Sequence, residues 1–141
     1  ENFFLSNFSP SPVQYCSLAF ETVEHAYQAA KIDPANDASG CLRKAIADAE
    51  TPGQAKRMGR LIQIRDGWEN LKDEVMKQLL IQKFRDSDLR DKLMSTRPKY
   101  LVEGNNWGDR YWGCVRVNNK WVGQNKLGKL LMDIREGVIR G

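Results

Sequence analysis

The sequence predicts an α+β fold, a single helix-rich domain with a few short strands over residues 1–141. Apolar residues recur at helical spacing through most of the chain, whereas stretches typical of strands are short and few. Strands and helices do not alternate regularly, which excludes a doubly wound parallel sheet. A chain of 141 residues, 41% of them hydrophobic, has the length of one ordinary domain with its own core.

The first part of the chain predicts two extended pieces and then a helix. Aromatic residues flank a Ser-Pro-Ser-Pro run, which indicates extended pieces at Phe3–Phe8 and Val13–Phe20 around a turn. Thr22 is expected to cap a helix over Val23–Lys31, because apolar residues recur there at helical spacing and Pro34 follows soon after.

Four more helices are predicted in the middle of the chain. The strongest periodicity begins at Trp68, with apolar residues on one face and charged residues on the other, so this helix is expected to pack centrally. The predicted elements are Ala38–Ala49, a helix capped by Thr51 with Pro52 at its first position and an apolar face reaching Ile62, a helix from Trp68 to Phe84, and a short helix capped near Asp86 or Ser87.

The last part of the chain predicts strands and a final helix. A strand is expected at Tyr100–Glu103. A hairpin is expected from Trp112–Val117 and Lys120–Val122, because the two asparagines between them tolerate positive φ. The final helix is predicted from Asn125 to about Val138.

Composition excludes several classes of protein. No apolar run approaches the roughly 20 residues that a membrane helix needs, so no membrane partner is expected. Lys and Arg number 22 against 18 Asp and Glu, and this net charge of +4 suits a phosphorylated ligand. Cys16, Cys41 and Cys114 are widely spaced and His25 is the single histidine, so we expect reduced thiols in the cytoplasm and no metal site. No cofactor or obligate protein partner is evident.

Glu24, Gln28 and Lys31 form a polar stripe on one helix, since they are spaced at i, i+4 and i+7. The pattern alone favours a solvated helix face with one local contact. The alternative is a functional site, supported by His25 next to Glu24 and by a second polar-aromatic stretch far along the chain that the fold is free to bring close.

That second stretch begins with Trp107, Gly108 and Asp109, which supply a flat ring, a flexible backbone and a carboxylate. This combination suits binding of a ring or sugar, and a structural tryptophan in a turn is an equally good interpretation.

Phosphate donors are a further possibility that the sequence raises. Arg57 and Arg60 are bidentate donors, although arginine is common on surfaces. The free N–H groups before the last helix, near Asn125, suit an anion, whereas an ordinary asparagine cap is the alternative.

Six motifs carry a resemblance over nearly the whole chain. They are FLSNF at 4–8, TVEHAYQAAK at 22–31, TPGQAKRMGR at 51–60, QKF at 82–84, LVEGNNWGD at 101–109 and GQNKLGKLLMDIR at 123–135. Together and in this order they resemble the YbiA-like or NADAR family. The resemblance implies an N-glycosidase that cleaves a bond between a nitrogen and the anomeric carbon of a ribose. The substrates it implies are phosphorylated ribosylaminopyrimidine intermediates of riboflavin synthesis, or ADP-ribose attached to guanine in nucleic acid.

The resemblance also implies roles for individual residues. The family's active-site glutamate matches Glu24, its lysine Lys31, its helix tryptophan Trp68 and its WGD aspartate Asp109. These imply Glu24, Lys31 and Asp109 as catalytic residues. The residues expected to contact substrate are Asn7, Gln28, Arg57, Arg60, Trp68, Trp107 and Asn125.

Two mechanisms and one rival class stay open at this point. Glu24 is the candidate to stabilise positive charge at the anomeric carbon and to activate water, with Asp109 orienting the ribose or protonating the base. Alternatively, Lys31 acts as a nucleophile and forms a Schiff base. The rival class is a non-catalytic module that binds ADP-ribose or a nucleotide, for which a carboxylate beside the anomeric carbon gives no benefit.

Overall fold

The structure is a computed structural model that describes residues 2–138. These residues form six α-helices and two antiparallel sheets of two strands each, so the α+β prediction is confirmed. The helices are α1 Val23–Ala30, α2 Cys41–Ala47, α3 Pro52–Gly59, α4 Trp68–Lys83, α5 Ser87–Met94 and α6 Lys126–Arg135, and the strands are β1 Val13–Tyr15, β2 Leu18–Phe20, β3 Val115–Val117 and β4 Lys120–Val122.

The chain divides into two compact units, one running through Lys83 and the other beginning at Phe84. The predicted extent of one domain, residues 1–141, stays a prediction. Within the described residues, no helix is both long enough and apolar enough to cross a membrane.

Helix α1 is the centre of the first unit. It packs against α2, α3, α4 and β1, and every residue from Thr22 to Ala30 is buried. Thr22 caps the helix as predicted, since its hydroxyl oxygen accepts a hydrogen bond from the backbone N–H of His25 at 3.1 Å. A short helix surrounded on several sides has no solvated face, so its polar residues lie inside the unit.

His25 has a structural role inside this unit. Its side chain is fully buried, Nε2 donates to the carbonyl oxygen of Ala49 at 3.0 Å, and Nδ1 forms a hydrogen bond of 2.8 Å with the Thr22 hydroxyl. Both ring nitrogens are engaged, so the position of His25 next to Glu24 in sequence gives no support to a catalytic histidine.

In the second unit, α5 and α6 pack together, and strands β3 and β4 form the predicted hairpin around Asn118 and Asn119. Asn118 and Asn119 at its tip have φ values of 50° and 63°, the left-handed conformation that asparagine tolerates.

Two predicted strands are wrong. Phe3–Phe8 is not extended, because Phe3–Leu5 forms a 3₁₀ turn in which the N–H groups of Leu5 and Ser6 donate to preceding carbonyls. Tyr100–Glu103 is not a strand either, since the only bridge there is at Gly104, outside the predicted range.

Two other predicted strand boundaries differ from the structure. Val13–Phe20 is a hairpin with a turn at Cys16 and Ser17 rather than one extended piece, and the later strand begins at Val115 rather than Trp112.

Several predicted helix boundaries also shift. Helix α2 begins at Cys41 rather than Ala38, because the Asp37 carboxylate accepts from the N–H groups of Leu42 and Arg43 and defines the start. The predicted range of α1 ends one residue late, since Lys31 is its C-cap. Ile62 lies beyond the end of α3, and α6 ends at Arg135.

Candidate active site

Glu24 is a buried carboxylate in the first turn of α1, with 8% of its surface exposed. Its Oε2 atom accepts a hydrogen bond of 2.5 Å from Nε2 of Gln28, which is 3% exposed. Its backbone N–H donates to the carbonyl oxygen of Asn7 at 3.1 Å. The interpretation of this stripe as a solvated helix face is therefore wrong for Glu24 and Gln28.

Burial raises the pKa of Glu24, because the charged form loses its hydration. The hydrogen bond from Gln28 opposes this rise, as do the positive charges of Lys56 and Lys31 and, more weakly, His25. Burial thus favours the protonated form of Glu24, whereas the hydrogen bond from Gln28 and the nearby charges favour the carboxylate form.

Lys31 lies at the C-terminal end of α1 and is half-buried. Burial lowers its pKa, the carboxylate of Glu24 opposes that change, and the cations Lys56 and Arg60 lower the pKa further. Its Nζ atom is 5.6 Å from the centroid of the Tyr27 ring. These surroundings favour a neutral amine more than bulk water does, which is the form that a nucleophilic lysine needs.

Trp68 opens α4 and is 5% exposed. Its ring packs against that of Tyr27, with centroids 5.3 Å apart and an interplanar angle of 56°. Tyr27 also lies beside Lys31, so the Tyr27 ring lies between Trp68 and Lys31. Its direct contact with substrate stays a prediction.

The other residues expected to bind substrate in this unit differ in burial. Asn7 is 8% exposed, and its Nδ2 atom donates to the sulfur of Met76 at 3.5 Å. Arg57 on α3 and Arg60, the C-cap that follows this helix, are both exposed, and Arg60 is near enough to Lys31 to affect its pKa. The structure thus brings Glu24, Gln28 and Lys31 together with Arg60. Roles for Asn7 and Arg57 stay predictions.

Two lysines in this region were not singled out by the sequence. Lys56 on α3 acts electrostatically on both Glu24 and Lys31. Lys83 is 1% exposed, and its Nζ donates to the carbonyl oxygen of Ser6 at 2.9 Å and to the hydroxyl of Ser9 at 3.0 Å. It therefore fixes the segment that carries Asn7. The sequence did contain a signal for the burial of Lys83, because Lys83 follows Met76 by seven residues and therefore lies on the apolar face of α4.

In the second unit, Asp109 organises its own loop. Its Oδ1 atom accepts from the N–H groups of Tyr111 at 3.0 Å and Trp112 at 2.9 Å. Asn105 adds to this network, because its Oδ1 accepts from the Asp109 N–H at 2.9 Å and its Nδ2 donates to the Asp109 carbonyl at 2.8 Å. Asp109 thus has a structural role that the sequence did not indicate, while its catalytic role stays a prediction.

Trp107 is on the same loop and lines a pocket of about 730 Å³. Trp107 is 62% exposed and Trp121 is 46% exposed, and the Arg116 guanidinium lies 4.9 Å from the Trp121 ring centroid. Arg110 also lines the pocket, and no acidic side chain is among its lining residues. Exposed rings with nearby cations suit a planar ligand that carries negative charge.

Asn125 does not leave free N–H groups before α6. Its side chain accepts from the N–H of Glu103 and donates to the carbonyl of Leu101, both at 2.9 Å. The backbone N–H groups of residues 124–127 donate to the carbonyl oxygens of residues 110–113. The expectation of free N–H groups for an anion at this helix start is therefore wrong, and substrate contact by Asn125 stays a prediction. No group of three or more His, Cys, Asp or Glu residues within 2–138 is placed to hold a metal ion.

A buried carboxylate and a half-buried lysine, each with a pKa shifted by burial and by the charge of the other, are typical of a catalytic site. The chain belongs to the NADAR family, since the NADAR domain matches residues 1–139.

Proteins similar to this chain are named as N-glycosidases. A protein of Nostoc punctiforme named as an N-glycosidase is 38% identical over 136 residues, which cover 94% of this chain and 83% of the relative. The N-glycosidase YbiA of Escherichia coli is 36% identical over 134 residues, 93% of this chain and 78% of the relative. The NMR structure of E. coli YbiA has a TM-score of 0.75 at 35% identity and covers 96% of this chain and 77% of that one.

A relative with a different name covers the chain but extends well beyond it. A riboflavin biosynthesis protein of Vibrio vulnificus is 32% identical over 136 residues, which are 94% of this chain and 35% of the relative.

Proposed function

We propose that this chain is an N-glycosidase in which Glu24 is the catalytic carboxylate. The observation that carries the proposal is the burial of Glu24 on α1, where it accepts a short hydrogen bond from Gln28. Burying a carboxyl group costs stability, and a catalytic role is a physical reason for keeping one there. The N-glycosidase names of relatives at 36–38% identity support the reaction class.

The reaction breaks the bond between the anomeric carbon of a ribose and a nitrogen, and positive charge develops on the sugar as the bond lengthens. A carboxylate held away from water stabilises that charge more strongly than one in solvent. In its charged form Glu24 also accepts a proton from the attacking water. Protonation of the departing nitrogen completes the reaction, and we propose Asp109 for that step or for orienting the ribose, on the resemblance of its motif.

A second route uses Lys31. Its neutral Nζ attacks the anomeric carbon, the bond to the base nitrogen breaks, and that nitrogen takes a proton. The sugar ring opens to give an imine, which water then hydrolyses to release the sugar and restore the amine. The lowered pKa of Lys31 favours this route, while the carboxylate of Glu24 opposes it by stabilising the ammonium form.

We propose a phosphorylated ribosylaminopyrimidine as the substrate class, acted on in the cytoplasm. The riboflavin biosynthesis name of the Vibrio relative supports it, and Arg57 on α3 and Arg60 at its C-cap are exposed cations that suit its phosphate. The cytoplasm is supported by three cysteines that form no disulfide.

The second candidate substrate is ADP-ribose attached to guanine in nucleic acid. The pocket lined by Trp107, Trp121 and Arg116 favours it, because exposed rings beside cations are typical of surfaces that stack bases.

The test compares Glu24→Gln with Glu21→Gln, a matched exposed glutamate three residues earlier. Purified variants are incubated with each substrate type, and release of ribose 5-phosphate or ADP-ribose is followed by mass spectrometry. We expect Glu24→Gln to lose about two to four orders of magnitude in turnover, as removal of an acid–base group does, and Glu21→Gln to match the wild type. Turnover by Glu24→Gln within twofold of wild type would contradict the proposal.

A further inference from the structure

Helices α1 and α3 approach closely at one point, where Gly59 of α3 faces Gln28 of α1. A Cβ atom added to Gly59 would overlap Oε1 of Gln28 and would lie 2.8 Å from its Cδ and 3.3 Å from its Cβ. Both distances are shorter than ordinary carbon–carbon contacts. Any residue other than glycine at position 59 therefore moves the Gln28 amide.

The Gln28 amide has its two ends in different surroundings. Its Nε2 donates to Glu24, whereas its Oε1 is buried against Gly59 and accepts no hydrogen bond from the described residues. Rotating the amide by 180° would place its oxygen against the Glu24 carboxylate, where two acceptors repel. A buried acceptor without a donor costs free energy, so stability alone does not explain this arrangement.

We propose that Gly59 is a positioning residue, whose missing side chain leaves room for Gln28 to orient and hydrogen-bond the Glu24 carboxylate. This inference rests on the proposed function of Glu24. It assigns no substrate contact to Gly59 or Gln28. Gly59 acts only through the Gln28 amide, for which its missing side chain leaves room.

The proposal has a consequence for the ionisation of Glu24. The hydrogen bond from Gln28 lowers the pKa of Glu24 against the effect of burial. Lys31 and His25 on α1 and Lys56 on α3 also lower it, and a substitution at Gly59 leaves these three residues in the sequence unchanged. Displacing the amide therefore raises the pKa of Glu24, and a carboxylate that must be charged becomes active only at higher pH.

The test compares Gly59→Ala with Gly53→Ala in the same helix. Neither glycine has positive φ, and a Cβ on Gly53 meets its nearest atoms at 3.8 and 3.9 Å, which is ordinary contact. Both variants make the same change, from glycine to alanine, within α3. We expect Gly59→Ala to fold, to lose about 10- to 100-fold in kcat through misplacement of the carboxylate, and to shift the acidic limb of its pH–rate profile upward. Gly53→Ala should match the wild type in both.

A double variant separates positioning from general damage. If Gly59 acts through Gln28, Gly59→Ala in a Gln28→Ala background should lose no further activity. Additive losses, or a Gly59→Ala variant with wild-type kcat and pH profile, would overturn the inference. Should Gly59→Ala fail to fold, Gln28→Asn, which withdraws the amide by one methylene, must show the same upward shift, and an unchanged profile overturns the inference equally.

Titration of the carboxyl carbons by ¹³C NMR gives a readout that does not need turnover. The Glu24 signal is assigned as the one missing from the Glu24→Gln spectrum, and its pKa should be higher in Gly59→Ala than in Gly53→Ala. If Glu24→Gln is inactive but this pKa does not move, the inference fails and the proposed function stands. If Glu24→Gln remains active while the pKa moves, the proposed function fails and the positioning contact stands.

Discussion

Substitutions at Asp109 can distinguish a structural role of this residue from a catalytic one. The Asp109→Ala variant removes two hydrogen bonds, from the N–H groups of Tyr111 at 3.0 Å and Trp112 at 2.9 Å. At about 1 kcal/mol each for a partly exposed acceptor, the loss is about 2 kcal/mol. For a chain of this size each kcal/mol corresponds to about 3–4 °C, so we expect Tm to fall by about 6–8 °C.

The Asp109→Asn variant is the matched control, because its side-chain oxygen accepts the same two hydrogen bonds. We expect its Tm to stay within about 2 °C of the wild type, while its turnover falls at least about 100-fold if the carboxylate is catalytic. Thermal unfolding and turnover are measured on the same preparation. An unchanged Tm for Asp109→Ala would refute the structural role, and full turnover by Asp109→Asn would refute the catalytic one.

Three further predictions concern the first unit. If Lys31 is the nucleophile, borohydride added during turnover should reduce the imine and increase the mass of the peptide that contains Lys31. Turnover without a mass increase on this peptide would favour attack by water assisted by Glu24. Trp68→Phe, which loses the indole N–H and volume, should reduce turnover per folded molecule, and a lowered Tm with normal turnover would assign Trp68 to the core alone. The raised pKa of Glu24 means that the folded state holds its proton more tightly than the unfolded state, so the contribution of Glu24 to wild-type stability should fall as pH rises above 4.5. Glu24→Gln should lack this fall, and parallel curves of Tm against pH for the two proteins would contradict the assignment.

The helix signals were readable from sequence because they are local. Thr22 and Thr51 cap their helices as predicted, since a capping hydroxyl and the N–H it accepts from are three residues apart. The ends of the helices were less readable. Asp37 determines where α2 begins through contacts with residues 42 and 43, and no periodicity of apolar residues reports them.

The sequence predicted which residues of the candidate site lie on the same side of α1, but it did not predict that this side is buried. The spacing of Glu24, Gln28 and Lys31 placed them on one side of α1, which is correct, but a helical pattern describes one helix and not what packs against it. Burial of that side depends on α3, whose approach depends on Gly59, more than 30 residues later. The resemblance indicated Glu24 as catalytic where periodicity favoured a surface position.

Burial and chemistry are linked in α1 by its neighbours. Ala26, Ala29 and Ala30 are fully buried and small, which is what close packing of a short helix requires, whereas Glu24 and Gln28 occupy the same interior at a cost in desolvation. That cost is reduced by their mutual hydrogen bond but not removed, since Oε1 of Gln28 accepts none from the described residues. Apolar residues at both positions would satisfy the packing better. The fold therefore retains two polar side chains where stability favours none, and a reaction that needs a poorly hydrated carboxylate is a physical reason for keeping them.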